Sequence, residues 1–273
     1  MNNQIIHSPI SPSENLELVI LDVGCGTGIV TDYLAKRYPT AKVYGLDLSP
    51  VPALHERPPN VQFLRGNILT DQPSSWHASD GSKPFQGKEE ETGLFDLIFS
   101  RLLVCGLSDW DGYISTAHHL LKPNGYLEIH DVDWTWYRNS SCDPSDIVSN
   151  TWPWWREVVS AGQAKGLDWS CGSNAGSRME KSGFADVKVE KYRWPWGGEW
   201  ETEAAWKEFG NYVHSALTGM TWHLIPKLME GREDEEGIER LRGDMVRDFR
   251  PEKGKVWWMY VSVGRKGRVG SEE

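Results

Sequence analysis

The sequence lacks any long apolar run. Nothing in it approaches the roughly 18 apolar residues of a membrane span, and the opening stretch MNNQIIHSPISPSENLELV has no basic segment leading into an apolar one. A secreted or membrane-spanning protein is therefore not expected, and a cytoplasmic one is. Cysteine is scarce: Cys25, Cys105, Cys142 and Cys171 lie far apart with no C-x-x-C pair. That spacing supports neither a disulfide framework nor a zinc site, and no metal is expected. Positive charge is in deficit, with 29 Lys and Arg against 39 Asp and Glu. The formal net charge of −10 disfavours non-specific association with nucleic-acid phosphates. There is no G-x-S-x-G elbow, so hydrolase chemistry has no support. What the chain has in excess is tryptophan, 15 in 273 residues, on a length ample for a buried core.

Residues 16–23 are a run rich in Val, Ile and Leu that ends at Gly24-Cys25-Gly26, a buried strand entering a tight turn. Residues 27–38 place Ile29, Val30, Tyr33, Leu34 and Tyr38 at helical spacing, and Pro39 stops them. Strands are expected over 41–46 and 61–64. The link between them holds Pro50, Pro52, Pro58 and Pro59 and has little room for a long helix. Residues 71–93 are polar and read as an exposed loop. A strand over 95–100 follows, then a helix over about 110–121 closed by the turn Lys122-Pro123-Asn124-Gly125, then a strand over 126–132. This alternation predicts an α/β fold, a doubly wound, mostly parallel sheet. Beyond it the pattern predicts helices over 150–164, 174–182, 199–217 and 224–249, and strands over 185–194 and 255–265.

Asp22-Val23-Gly24-Cys25-Gly26-Thr27-Gly28 sits where a buried strand becomes a helix. Glycines there let the backbone approach a ligand closely. Asp47 ends the second strand, where a carboxylate can accept from both hydroxyls of a ribose. The pair, in this order and at this spacing, is much stronger than a glycine turn alone. Two ligands fit, a dinucleotide or S-adenosylmethionine. The third glycine comes one residue early for G-x-G-x-x-G, and Asp22 would repel a pyrophosphate but could hold an amino group. The sequence leans to a ligand carrying an ammonium and a ribose.

LDVGCGTG, GLDLSP, FDLIFSR and LLKPNGYLEIHD, in that order, resemble the successive motifs of class I S-adenosylmethionine-dependent methyltransferases. The finer pattern, including PPNVQFLRGN, KSGFADVKVEKYRWPWG and WWMYVSVGRK, is similar to the LaeA-like methyltransferases of fungal secondary metabolism. The resemblance implies a Rossmann-like seven-stranded sheet with the last strand antiparallel. It also implies cofactor contacts at Gly24, Gly26 and Gly28, with Cys25 in the same loop. A ribose contact would come from Asp47 beside Leu48, and an adenine contact from Asn67 and Ile68. Ser100 and Arg101 would line the floor near the sulfonium. Where the family often has an acid, Asn67 stands, and its amide oxygen can still meet the adenine amino group. Only about 16 residues precede the first strand, so the cover that the family builds from its N-terminal helices is expected to come from elsewhere or be absent. The organisation implied is a single domain with an arm over 1–16, a cofactor-binding half over 17–132, a substrate-side half over 133–266 and a tail over 267–273.

Methyl transfer from a sulfonium is an in-line displacement that needs a base only when the acceptor must lose a proton early. His130, at the end of the fifth strand, is the candidate base. Its plainer reading is a half-buried strand histidine. Asp131 and Asp133 share one side of that strand and read as solvated or as an amine site. His118 and His119, adjacent on a helix, cannot share a face. Most tryptophans are expected in the core, with Trp134, Trp136 and Trp196 as walls for a flat organic substrate. The run 232–236 reads as a solvated helix face. The activity implied is methylation of a small organic molecule, a fungal specialised metabolite, with neither nucleic acid nor membrane as partner. The alternatives are a LaeA-type regulator acting through protein partners in the nucleus, or a non-catalytic cofactor-binding relative.

Overall fold

The computed structural model describes residues 5–10, 17–87, 92–141 and 143–267. The expected arm at 1–4 and 11–16, Cys142 and the tail from Arg268 lie outside the described residues. Seven strands, β1 (Val19–Val23), β2 (Lys42–Asp47), β3 (Val61–Arg65), β4 (Phe95–Arg101), β5 (Leu121–Val132), β6 (Phe184–Pro195) and β7 (Val256–Lys266), make one sheet. Their order is β3-β2-β1-β4-β5-β7-β6, and β7 runs antiparallel to both neighbours while the pairs from β3 to β5 are parallel. This is the doubly wound, Rossmann-like sheet that the sequence predicts.

Among the described residues six α-helices flank it: α1 (Ile29–Arg37), α2 (Trp110–Leu120), α3 (Pro153–Ala164), α4 (Cys171–Lys181), α5 (Ala204–Met229) and α6 (Glu235–Asp248). Strand alternation sorts the apolar side chains onto two faces. Ile20, Val43, Leu97 and Phe99 meet Val30 and Leu34 of α1. Leu21, Ile98, Leu127 and Ile129 belong to the larger cluster with Ile114 of α2 and Met179 of α4. Burying each such side chain contributes about 1.5–3 kcal/mol. Residues 5–10 add a strap to the α1 face. There Ile6 is buried, and the Glu128 carboxylate accepts from the N–H groups of His7 at 2.8 Å and Ser8 at 2.7 Å.

Three elements differ from expectation. The segment 71–93 is not simply an exposed loop, because Trp76 and Phe85 are fully buried and pack with Tyr44 and Phe95. The helices expected over 199–217 and 224–249 are divided elsewhere: α5 runs unbroken for 26 residues, and the break falls at 230–234. Its buried face passes through a polar residue, Thr221, whose hydroxyl donates to Leu217 O at 2.7 Å, so an apolar count loses the phase there. The charge run 232–236 therefore spans that break and the first turn of α6, whose N-cap Asp234 accepts from the N–H of Gly237. Lys122-Pro123-Asn124-Gly125 is a bulge inside β5 instead of a separate turn, with Asn124 at φ 64°. Among the described residues no helix is long and apolar enough to cross a membrane.

Candidate active site

Register sets the carboxyl ends of four strands side by side. Val23 partners both Leu46 and Ser100, and Asp47 partners Arg65. A cavity of about 280 Å³ opens at these ends, lined on one side by Gly24, Asp47, Leu48, Asn67 and Ile68. Its other wall comes from Leu103, Gly106, Leu107 and Ser108, the segment after β4. None of these four residues was expected at the site.

The three glycines do different things. Gly24, at φ 65°, lies so close to the far wall that a Cβ would stand 2.3 Å from Leu103 Cδ2. Gly26, at φ 55°, faces open space, and its N–H donates to Asp47 Oδ2 at 2.9 Å. Gly28, at φ 80°, packs away from the cavity, where a Cβ would meet the Phe63 ring at 2.5 Å and Arg57 Nη1 at 3.0 Å. Arg57 ties the proline-rich link to this turn through Asp32 Oδ2 at 2.6 Å and Thr27 O at 3.0 Å. Expected as a cofactor contact, Gly28 is a packing position. Cys25 likewise turns its buried sulfur toward Gly45 of β2, and burial raises its thiol pKa.

Asp47 also accepts from the N–H of Ser49 at 2.9 Å. A carboxylate has about four acceptor sites, so capacity for two hydroxyls remains. Asn67 closes a short turn in which its Oδ1 accepts from the N–H of Leu69 at 2.9 Å and its own N–H donates to Asp71 Oδ2 at 2.8 Å. Asp22 lies behind the loop, 2% exposed, accepting from Thr31 Oγ1 at 2.6 Å. Burial pushes its carboxyl up to about 7. Ser100 is buried, while Arg101 is exposed at the end of β4.

His130 is not placed as a base for this cavity. It is buried on the strap side of the sheet, with Nε2 2.7 Å from Glu128 Oε1 and its ring against Phe99 and His7. Burial lowers its pKa despite the carboxylate, so a neutral imidazole donates to Glu128. Asp131, expected to be solvated, is fully buried and anchors the segment after β4. Trp134, Trp136 and Trp196 are 1%, 0% and 1% exposed and are core instead of walls. They pack with Trp155, Trp257 and Phe249, and Trp136 stacks on Trp257 with the planes 1° apart. This cluster fastens α3 and α6 to the end of the sheet. Among the exposed large apolar side chains, Ile29, Leu48, Leu54 and Leu102 follow β1, β2 and β4, and of these four Leu48 lines the cavity. Leu102 sits at φ 57°, a conformation costing a bulky residue roughly 1–2 kcal/mol, and the turn carries Leu103 back over Gly24.

Glycines admitting close approach, a carboxylate with spare acceptors and a buried acid behind them suit a ribose-bearing, cationic ligand. The family described as "Methyltransferase domain" matches residues 5–189. Methyltransferase str2 of Strobilurus tenacellus is 35% identical over 115 residues, covering 42% of this chain and 36% of that protein. Secondary metabolism regulator LAE1 of Cochliobolus heterostrophus is 26% identical over 220 residues, covering 79% of this chain and 64% of that protein. The chain thus spans less than two thirds of the length of either relative. Among solved structures, phosphoethanolamine N-methyltransferase 2 of Haemonchus contortus shares the fold at a TM-score of 0.50 and 17% identity, over 92% of this chain and 49% of that one.

Proposed function

For a chain that belongs to the methyltransferase-domain family, we propose transfer of a methyl group from S-adenosylmethionine to a small organic molecule. The observation that carries this reading is the cavity between Gly24 and Asp47 at the adjoining ends of β1 and β2. When bound, S-adenosylmethionine supplies an electrophilic methyl on a sulfonium. Asp47 would take the ribose hydroxyls, Asn67 and Ile68 the adenine, and Asp22 the ammonium, while Gly24 and Gly26 leave the backbone open to the ligand. Ser100 and Arg101, at the end of β4, would stand near the sulfonium.

Exposed Leu48 in the cavity lining, with Leu46, Ile68, Leu103 and Leu107, supports an apolar organic acceptor, and the similarity to str2 and LAE1 supports a specialised metabolite. The reading covers oxygen, nitrogen and sulfur acceptors alike. With His130 turned toward Glu128, rate enhancement would rest on holding donor and acceptor in line. A second reading, a regulator acting through protein partners, is favoured by the 79% of this chain matched to LAE1, a secondary metabolism regulator.

Calorimetric titration with S-adenosylmethionine and S-adenosylhomocysteine tests the cofactor. Micromolar binding of both, abolished by Asp47→Ala, is expected. No binding to the intact chain, or undiminished binding to the variant, would overturn the site. Cofactor binding without methyl transfer to any small acceptor would favour the regulator.

A further inference from the structure

The strap at residues 5–10 covers only part of its face of the sheet. Register puts Val263 opposite both Glu128 and Lys188, and Val261 opposite both His130 and Glu190. Paired residues point to one side of a sheet. Lys188 and Glu190 of the edge strand β6 therefore stand on the side where His7 and Ser8 meet Glu128. On the opposite side α4 packs against β6, so closely that a Cβ on Gly176 would stand 2.4 Å from Val189 Cγ2. Between the strap and β6 lies a cavity of about 420 Å³, with Tyr126, Val261 and Val263 of the sheet at its base and His7 and Pro9 along one wall. It shares no residue with the cavity at Gly24 and Asp47.

Asp186, Lys188 and Glu190 form its exposed rim. Two of these charges are already engaged. Asp186 Oδ2 lies 2.8 Å from Arg265 Nε and 2.7 Å from Nη2, while Glu190 accepts from the Tyr192 hydroxyl and has His7 Nδ1 at 3.6 Å. Lys188 makes no hydrogen bond or ion pair among the described residues. We propose that this cavity binds a small carboxylic acid with an apolar body, Tyr126 and the two valines taking the body and Lys188 the carboxylate. Apolar contact holds the body out of water, and the ammonium, on a stem that can lie along the apolar base, meets the head as a point charge. With Asp186 and Glu190 on the same rim, a singly charged carboxylate is repelled less than a doubly charged phosphate. The site is independent of methyl transfer and does not rest on it.

The test is calorimetric titration of the full chain with octanoate and, separately, octan-1-ol, which keeps the apolar body and lacks the charge. Saturable binding of octanoate is expected at a dissociation constant of about 0.1–1 mM, the scale for a ligand of this size. Lys188→Gln, a change on the exposed rim, is expected to weaken octanoate about tenfold, the lower end for a charged hydrogen bond, and to leave octan-1-ol unchanged. Lys188→Arg is expected to keep most of the affinity. Absence of octanoate binding to the unaltered chain would overturn the proposal, as would equal effects of Lys188→Gln on both probes. Displacement of octanoate by S-adenosylhomocysteine would also overturn it, by placing the acid in the other cavity.

Discussion

The backbone N–H of Leu103 donates to Oδ2 of Asp131 at 2.6 Å, joining the end of β5 to the wall of the cavity. Asp131 Oδ1 accepts in turn from the N–H of Val132 at 2.9 Å. One buried carboxyl thereby holds a segment that begins with the left-handed Leu102. Asp131→Ala strands these N–H groups, at about 1–3 kcal/mol for each one left buried. We expect a lower melting temperature together with weaker S-adenosylhomocysteine binding. Reduced stability with unchanged affinity would detach residues 103–108 from cofactor binding.

Burial places Asp22 and Asp131 both at about 7. For an acid raised above its ordinary value of about 3.9, the contribution to stability is complete below that pH and is lost as pH climbs toward the folded value. Ligand binding at Asp22 runs the other way, because an ammonium favours the ionised carboxyl. Affinity for S-adenosylhomocysteine should therefore rise between about pH 6 and 8, by up to about tenfold per unit below the folded value. Asp22→Asn should flatten that profile. A flat profile in the unaltered chain would remove Asp22 from the ammonium.

The glycines of the first turn separate packing from binding. Gly24→Ala drives a Cβ into Leu103 within the cavity, whereas Gly28→Ala strikes Phe63 and Arg57 outside it. Both substitutions carry the strain of a positive φ, roughly 1–2 kcal/mol. Thermal melting should fall in both. Titration of the folded variants should show lost affinity for Gly24→Ala and near-normal affinity for Gly28→Ala, and equal losses would put Gly28 back at the site.

His130→Ala discriminates base from scaffold. A general base contributes about 10²–10⁴-fold, whereas His130 bonds Glu128 and packs edge-on against Phe99. We expect turnover within a few-fold of normal and a clear loss of stability. A drop of the larger size, with the melting temperature preserved, would restore the histidine to the chemistry.

The parts legible in the sequence are local ones. The strand, glycine turn and helix from Val19 to Arg37 follow from neighbours in the chain, and Asp47 follows from the strand that ends on it. Leu103 left no mark, because its role depends on the turn at Leu102 and on Asp131, 28 residues away. The tryptophans misled for a related reason. Spacing just past a strand suggested an open wall at Trp134 and Trp136, but Trp155 of α3 and Phe249, which caps α6 more than a hundred residues later, cover them. His130 was placed at the correct strand end, yet its partners Glu128 and His7 make it a buried link. Composition carries no information on such meetings.

The strap at residues 5–10 imposes an order of events on the growing chain. His7 and Ser8 meet Glu128 across 121 and 120 positions of sequence, so during synthesis the first residues must wait undocked until β5 has been made and paired with β4. Once they arrive, Glu128 is fully buried with its carboxylate satisfied by their N–H groups and by His130. Residues 5–10 thus cannot dock before β5 exists, and a ribosome stalled before residue 128 would leave Ile6 open to chaperones and proteases.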